Sequence, residues 1–220
     1  MIELIIFDFD GTLVDSMWVW QEVDRQFLKN REIKVPQNLQ NNISGLSFTE
    51  TAYYFKDRFN LDESIDDIKK EWLSLSKKLY RTKVSFKKNA IKIIKYLYKK
   101  NKIICIASSN HKQIINSFLK QKKIDRYFKK VITGCEVEKG KNSPNIYRQI
   151  CKDLNVEYKN ILLIDDIMES IKTASSLGIK TAAIFDKYTY KDENLEGKAD
   201  HYIYDLIEIK DILGNYSSGG

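Results

Sequence analysis

The chain has 220 residues, 43% of them apolar, and a formal charge of +7, enough for one large domain or for a core carrying a smaller inserted one. Its positive charge comes mostly from lysines scattered along the chain, in pairs such as Lys122 with Lys123 and Lys129 with Lys130. Such pairs read as solvated helix faces and helix ends, so neither a nucleic acid nor a membrane is expected as a partner. The three cysteines show no metal-site spacing, and Cys105 sits in an apolar run as a buried small side chain, which suits a reducing, cytoplasmic setting. The first apolar run stops at Asp8 after one strand's length, too short for a signal peptide or a membrane span.

Residues 2–7 are β-branched and apolar and empty into Asp8, Phe9, Asp10 and Gly11, the pattern of a buried strand entering a turn. Segments 17–30, 48–59 and 65–81 then read as helices with no buried-strand run between them. Asp66, Asp67 and Glu71 suit the dipole near the start of the third. From about Phe86 the rhythm changes. Short strands at 102–107, 130–133, 161–164 and 180–184, and a weaker one at 201–203, alternate with helical spacing at 90–97, 114–119, 146–154 and 171–177. That alternation predicts an α/β fold with a parallel, Rossmann-like sheet. The expected organisation is a core of residues 1–15 and 85–214, a helical cap inserted over 16–84, and a flexible tail over 215–220. The chain would cross between core and cap near Asp15 and Val84.

Ligands of such sheets bind outside the carboxyl ends of the strands. Those ends carry Asp8 and Asp10, then Ser108, Ser109 and Asn110, then Asp165 and Asp166, while Lys141 precedes the helix starting near Pro144. Clustered carboxylates raise one another's pKa unless a cation compensates, and an all-oxygen set suits Mg²⁺. Lys141 and Ser108 would offer donors to an anion beside it, an arrangement suited to a phosphoryl group in transfer. Ser108, Ser109 and Asn110 can equally cap the helix that follows, which is compatible with holding a phosphate.

Asp8, Asp10, Gly11 and Thr12 after the first strand, Ser108 after the second, Lys141 before Ser143 and Pro144, and the pair Asp165 and Asp166 resemble, in that order, the four motifs of the haloacid dehalogenase superfamily. The likeness covers nearly the whole chain and is to the branch with a helical cap between the first two motifs, which includes β-phosphoglucomutase and phosphoglycolate phosphatase-like proteins. The resemblance implies that Asp8 is a nucleophile forming an aspartyl-phosphate and that Asp10 is the general acid and base. It further implies that Ser108, Ser109 and Lys141 hold the phosphoryl group, and that Asp8, the backbone carbonyl of Asp10, Asp165 and Asp166 serve Mg²⁺. Gly45 would centre the cap loop that meets the substrate. The dehalogenases that named the superfamily lack the second aspartate, so Asp10 points to phosphate rather than halide chemistry.

The expected substrate is a small phosphorylated metabolite such as a sugar phosphate, hydrolysed by a monomeric enzyme. A phosphomutase of the β-phosphoglucomutase type is the alternative. Mutases of that kind carry basic residues flanking the cap-loop glycine and an early histidine, where this chain has Ser44, Phe48 and Trp20; Lys56 or Lys77 could still bring charge. A non-catalytic binding module is a third reading, opposed by the intact set Asp8, Asp10, Lys141 and Asp166. His111 and His201 are read as structural or exposed, and Asp15 as a hinge. Trp18, Trp20, Tyr53 and Tyr54 are read as cap core, one or two of them lining the cleft.

Overall fold

The computed structural model describes residues 1–137, 143–189 and 197–216. Strand β1 (Leu4–Phe7) leads through the first acidic turn to a short strand β2 (Val14–Asp15) and then to four helices, α1 (Met17–Lys29), α2 (Leu39–Ile43), α3 (Phe48–Phe59) and α4 (Ile65–Thr82). The chain returns through β3 (Ser85–Phe86), which pairs antiparallel with β2 in a ribbon of its own. Thereafter strand and helix alternate: α5 (Ala90–Lys99), β4 (Ile103–Ser108), α6 (Lys112–Gln121), β5 (Lys130–Thr133), α7 (Asn145–Leu154), β6 (Ile161–Asp165), α8 (Met168–Ser176), β7 (Lys180–Ile184), β8 (His201–Ile203) and α9 (Ile209–Asn215).

Six strands form one parallel sheet in the order β5-β4-β1-β6-β7-β8, the α/β class expected from the alternation. All four β1 residues are buried because helices cover both faces, so its apolar run is continuous rather than alternating. Ile5 and Phe7 share one face with Ile104, Ile106, Leu162 and Ile164, against helices that include α5 and α6. Leu4 and Ile6 share the other with Cys105, Ala107, Ile161 and Leu163, against α7 and α8. Burial in that second layer pushes the Cys105 thiol up to about 12, as suits a packing residue. Because β1 is central, the chain direction of the connections reverses beside it, and Asp8 emerges at that crevice.

The helices after β2 share an aromatic core in which Trp72 packs edge-on against Phe27, Phe48 and Phe55, with ring centres 5.6, 5.5 and 4.8 Å away. Ser47 caps α3 in a reciprocal box with Glu50, and Ser64 caps α4 by accepting from the Asp67 amide. Arg31 binds Glu63 and Glu71 at 2.7 Å each and lies over the Phe27 ring, tying the end of α1 to α4.

Some expectations need correction. Tyr53 is 55% exposed, because α3 buries the face carrying Phe48, Ala52 and Phe55 and Tyr53 falls roughly 100° round from Ala52. Asn215, expected to open a tail, ends α9, and the next residue, Tyr216, has its hydroxyl 3.1 Å from His201 Nε2. The residue capping α6 is His111, whose Nδ1 accepts from the Gln113 amide. Among the described residues no helix is long and apolar enough to cross a membrane.

Candidate active site

The acidic turn after β1 is shaped by Gly11, whose φ of +78° only glycine adopts readily. Space is as restrictive as conformation: a Cβ there would lie 2.3 Å from Asp166 Oδ2. The bare backbone of the first motif therefore lets the carboxylate at the end of β6 close in. Thr12 donates to Asp166 Oδ1 at 2.9 Å and Thr189 to Oδ2 at 3.2 Å, fixing that side chain from both edges.

Asp8, Asp165 and Asp166 are buried and each offers an oxygen within 4.8 Å of the others'. Burial, with Asp8 and Asp165 alongside, pushes the Asp166 carboxyl well above its usual range; Asp186 adds to the rise and Lys87 partly offsets it. Three carboxylates in so small and dry a space fit a hard divalent cation. Asp10 contributes no side-chain oxygen to that group. Its carboxylate accepts from Ser16 and from Tyr80 of α4, and from Asn110 Nδ2 at 2.7 Å. Asn110 also donates to the Tyr80 hydroxyl at 3.0 Å. Burial and then the adjacent Asp10 charge raise the Tyr80 phenol well above its ordinary value, which keeps it a donor.

Ser108 ends β4 almost fully buried and accepts from the Asn110 amide at 3.1 Å. Ser109 lines the same cavity, its hydroxyl without a hydrogen-bond partner among the described residues. Its carbonyl accepts from the Phe48 amide at 3.1 Å, joining the start of α3 to the loop after β4. Lys141 lies outside the described residues.

A cavity of about 390 Å³ extends from Asp8, Asp10 and Ser108 toward the inserted helices, where Ser44, Gly45, Phe48 and Trp20 line it. The structure thus brings together Asp8, Asp10, Ser108, Ser109 and Gly45 around one space, with Asp165 and Asp166 beside Asp8. His111 and His201 are not among its lining residues, and Trp18, Tyr53 and Tyr54 stand away from it too. Asp15 lies at the ribbon, paired with Ser85.

Sequence reasoning missed four lining or supporting residues: Tyr80, Asn110 as a partner of Asp10, Trp72 and Asp24. Asp24 was detectable, because an acid stands there on the helical face that also carries Val19, Trp20, Val23 and Phe27. It accepts from Gln40 Nε2 at 2.8 Å, and burial pushes its carboxyl from 3.8 up to about 7.

A model of the family described as haloacid dehalogenase-like hydrolase matches residues 5–184. A phosphorylated carbohydrates phosphatase of Thermotoga maritima is 22% identical over 179 residues, covering 81% of this chain and 83% of that protein. A (DL)-glycerol-3-phosphatase 2 of Arabidopsis thaliana is 25% identical, covering 94% of this chain and 88% of that protein. The crystal structure of a predicted phosphoglycolate phosphatase from Haemophilus somnus 129PT shares the fold, with a TM-score of 0.81 at 19% identity over 96% of this chain and 98% of that one.

The Gly11→Ala substitution should cost about 2–4 kcal/mol in a denaturation experiment, through backbone strain and the clash with Asp166. Asp24 makes a second prediction. Between its unfolded value of 3.8 and its folded value of about 7, the native state holds a proton that the unfolded chain has released. Stability therefore falls as pH rises through that window, by up to about 4 kcal/mol. Asp24→Asn should be more stable than the parent at about pH 8, the gap closing toward about pH 4, as read from urea midpoints.

Proposed function

The chain belongs to the haloacid dehalogenase-like hydrolase family, whose model spans most of its length, and from that premise we propose that it is a Mg²⁺-dependent phosphatase of small phosphate monoesters. The observation that carries the reading is the meeting of Asp8, Asp165 and Asp166 within 4.8 Å, with Asp10 and Ser108 lining the cavity that Asp8 shares. The phosphatase names of the Thermotoga and Arabidopsis relatives support small phosphorylated substrates. Residues 16–84 act as the cap that closes over them.

In this mechanism a carboxylate oxygen of Asp8 bonds to phosphorus as the ester P–O bond breaks, giving an aspartyl-phosphate and an alcohol. Asp10 protonates the departing oxygen and then takes a proton from the water that attacks phosphorus, so that phosphate leaves and Asp8 is restored. Ser108, Ser109 and Lys141 donate to the phosphoryl oxygens. Asp8, Asp165, Asp166 and the Asp10 carbonyl would hold Mg²⁺, which would supply positive charge against the crowded carboxylates and the phosphoryl oxygens. Ser16, Tyr80 and Asn110 fix the Asp10 carboxyl, so the proton donor is oriented jointly by the first motif, the cap helix α4 and the loop after β4.

Hydrolysis is favoured over mutase chemistry by the cap wall. Among the described residues lining the cavity there is no lysine or arginine to take a second phosphate. Lys56 instead donates to the carbonyls of Leu61 and Glu63 at the end of α3.

Purified protein should release phosphate from p-nitrophenyl phosphate with Mg²⁺ and stop on chelation, and Asp8→Asn should lower turnover by about 10³-fold or more. Mg²⁺ should also raise the melting temperature of the parent, and less so that of Asp166→Asn. Rapid conversion of β-glucose 1-phosphate to glucose 6-phosphate, primed by a trace of bisphosphate, would instead assign the mutase reaction. Tyr80→Phe should reduce kcat by about tenfold while leaving KM nearly unchanged, because it loosens the proton donor rather than a binding contact.

A further inference from the structure

The cap side of the cavity carries polar chemistry that phosphoryl transfer does not use. Asp24 on α1 is 4% exposed, lines the cavity, and has as its hydrogen-bond donor Gln40 of α2, which reaches only Oδ2. Among the described residues nothing donates to Asp24 Oδ1. No basic side chain figures among the influences on its ionisation, which are burial and Gln40. Across the same wall Trp72 is 2% exposed and lines the cavity, and its Nε1 meets no acceptor among the described residues. Trp20 and Phe48, with ring centres 5.8 Å apart, add apolar faces to the same cavity.

Asp24 is nearly buried as a residue, while its Oδ1, unpartnered among the described residues but not sealed off, is an acceptor that a donor group on a ligand would complete. An anionic group is opposed by Asp24 and meets no lysine or arginine among the described lining residues. An ammonium group offers only donors, leaving the indole N–H unanswered and setting like-signed dipoles toward it. A hydroxyl does both, donating to the carboxylate while accepting from an amide or indole N–H.

We propose that Asp24, Gln40 and Trp72 form the alcohol-recognition subsite of the cavity, selecting monophosphates of uncharged polyhydroxylated alcohols, with Trp20 and Phe48 covering the carbon skeleton. The inference rests on the phosphate-ester reading above and supplies its substrate class. Asp24 acts here as a specificity residue: it touches the leaving alcohol and takes no part in the transfer.

The experiment uses the full chain carrying Asp8→Asn, so that binding is read without turnover, and matched pairs that differ only in hydroxyls. By calorimetry with Mg²⁺, glycerol 3-phosphate is compared with propyl phosphate, and sorbitol 6-phosphate with hexyl phosphate; phosphoethanolamine tests the cationic choice. At least one polyol phosphate should bind about tenfold or more tighter than its alkyl partner, since a site built for a hydroxyl rejects the analogue lacking it. Adding Asp24→Leu should collapse that ratio to within about twofold while leaving the alkyl phosphate within about twofold of its former affinity. Gln40→Met reads the same subsite should Asp24→Leu not fold.

Equal binding within both pairs overturns the proposal, as does tighter binding of phosphoethanolamine. A uniform loss for all ligands on altering Asp24 overturns it too, because that is what a structural tie between α1 and α2 would produce. The phosphatase reading fails separately: parent enzyme that binds the polyol phosphates selectively but releases no phosphate from them keeps the subsite and loses the hydrolysis.

Discussion

Mutual repulsion among Asp8, Asp165 and Asp166 is the constraint around which this molecule is arranged. Three carboxylates within 4.8 Å of one another, all buried, are unfavourable unless something holds them there. The sheet holds them: β1 and β6 pair in register, Phe7 opposite Ile164, so their next residues emerge side by side. Gly11 then withholds the Cβ that would occupy the Asp166 carboxylate's place, and two threonines grip that carboxylate. Folding energy from the apolar layers thus maintains an electrostatic arrangement that is tolerable only with a cation or a proton present.

A second carboxylate is handled in the opposite way. Asp10 lies two residues from Asp8, yet its side chain turns to Ser16, Tyr80 and Asn110. These donors come from the entry to the helical insertion, from its last helix, and from the loop after β4. That carboxylate is therefore oriented by elements on both sides of the cleft. The Phe48 amide bonded to the Ser109 carbonyl closes the same circuit by another path, so movement of the helices away from the sheet has to break contacts made by both α3 and α4.

Much of this was legible in the chain because burial on both faces leaves continuous apolar strands. Segments 102–107, 130–133, 161–164 and 180–184 coincide closely with β4, β5, β6 and β7, and an acid or hydroxyl ending such a strand has a predictable address. The ribbon of β2 and β3 was not legible, since two residues a side carry no periodicity. Nor was Tyr80, whose partners lie 70 and 30 positions away in sequence; a tyrosine on a helical face signals core until its hydroxyl's neighbour is known. Tyr53 was misread for the same reason, as aromaticity predicts burial only when the face is right. Asp24 differed, for an acid on an apolar stripe was a visible anomaly whose meaning needed the cavity.

The β2–β3 ribbon has a consequence for folding. About 70 residues separate Asp15 from Ser85, and bringing the ends of so long a loop together costs roughly 4 kcal/mol of chain entropy. Ribbon hydrogen bonds between two residues a side contribute too little to offset that alone. Closure must come from the helices between, whose aromatic packing around Trp72 draws the ends of the insertion near one another. The inserted layer therefore acts as an entropic clasp on the sheet: until it has condensed, β1 and β4 remain joined by a floppy tether, and the pairing that sets Asp8 beside Ser108 is slow to form.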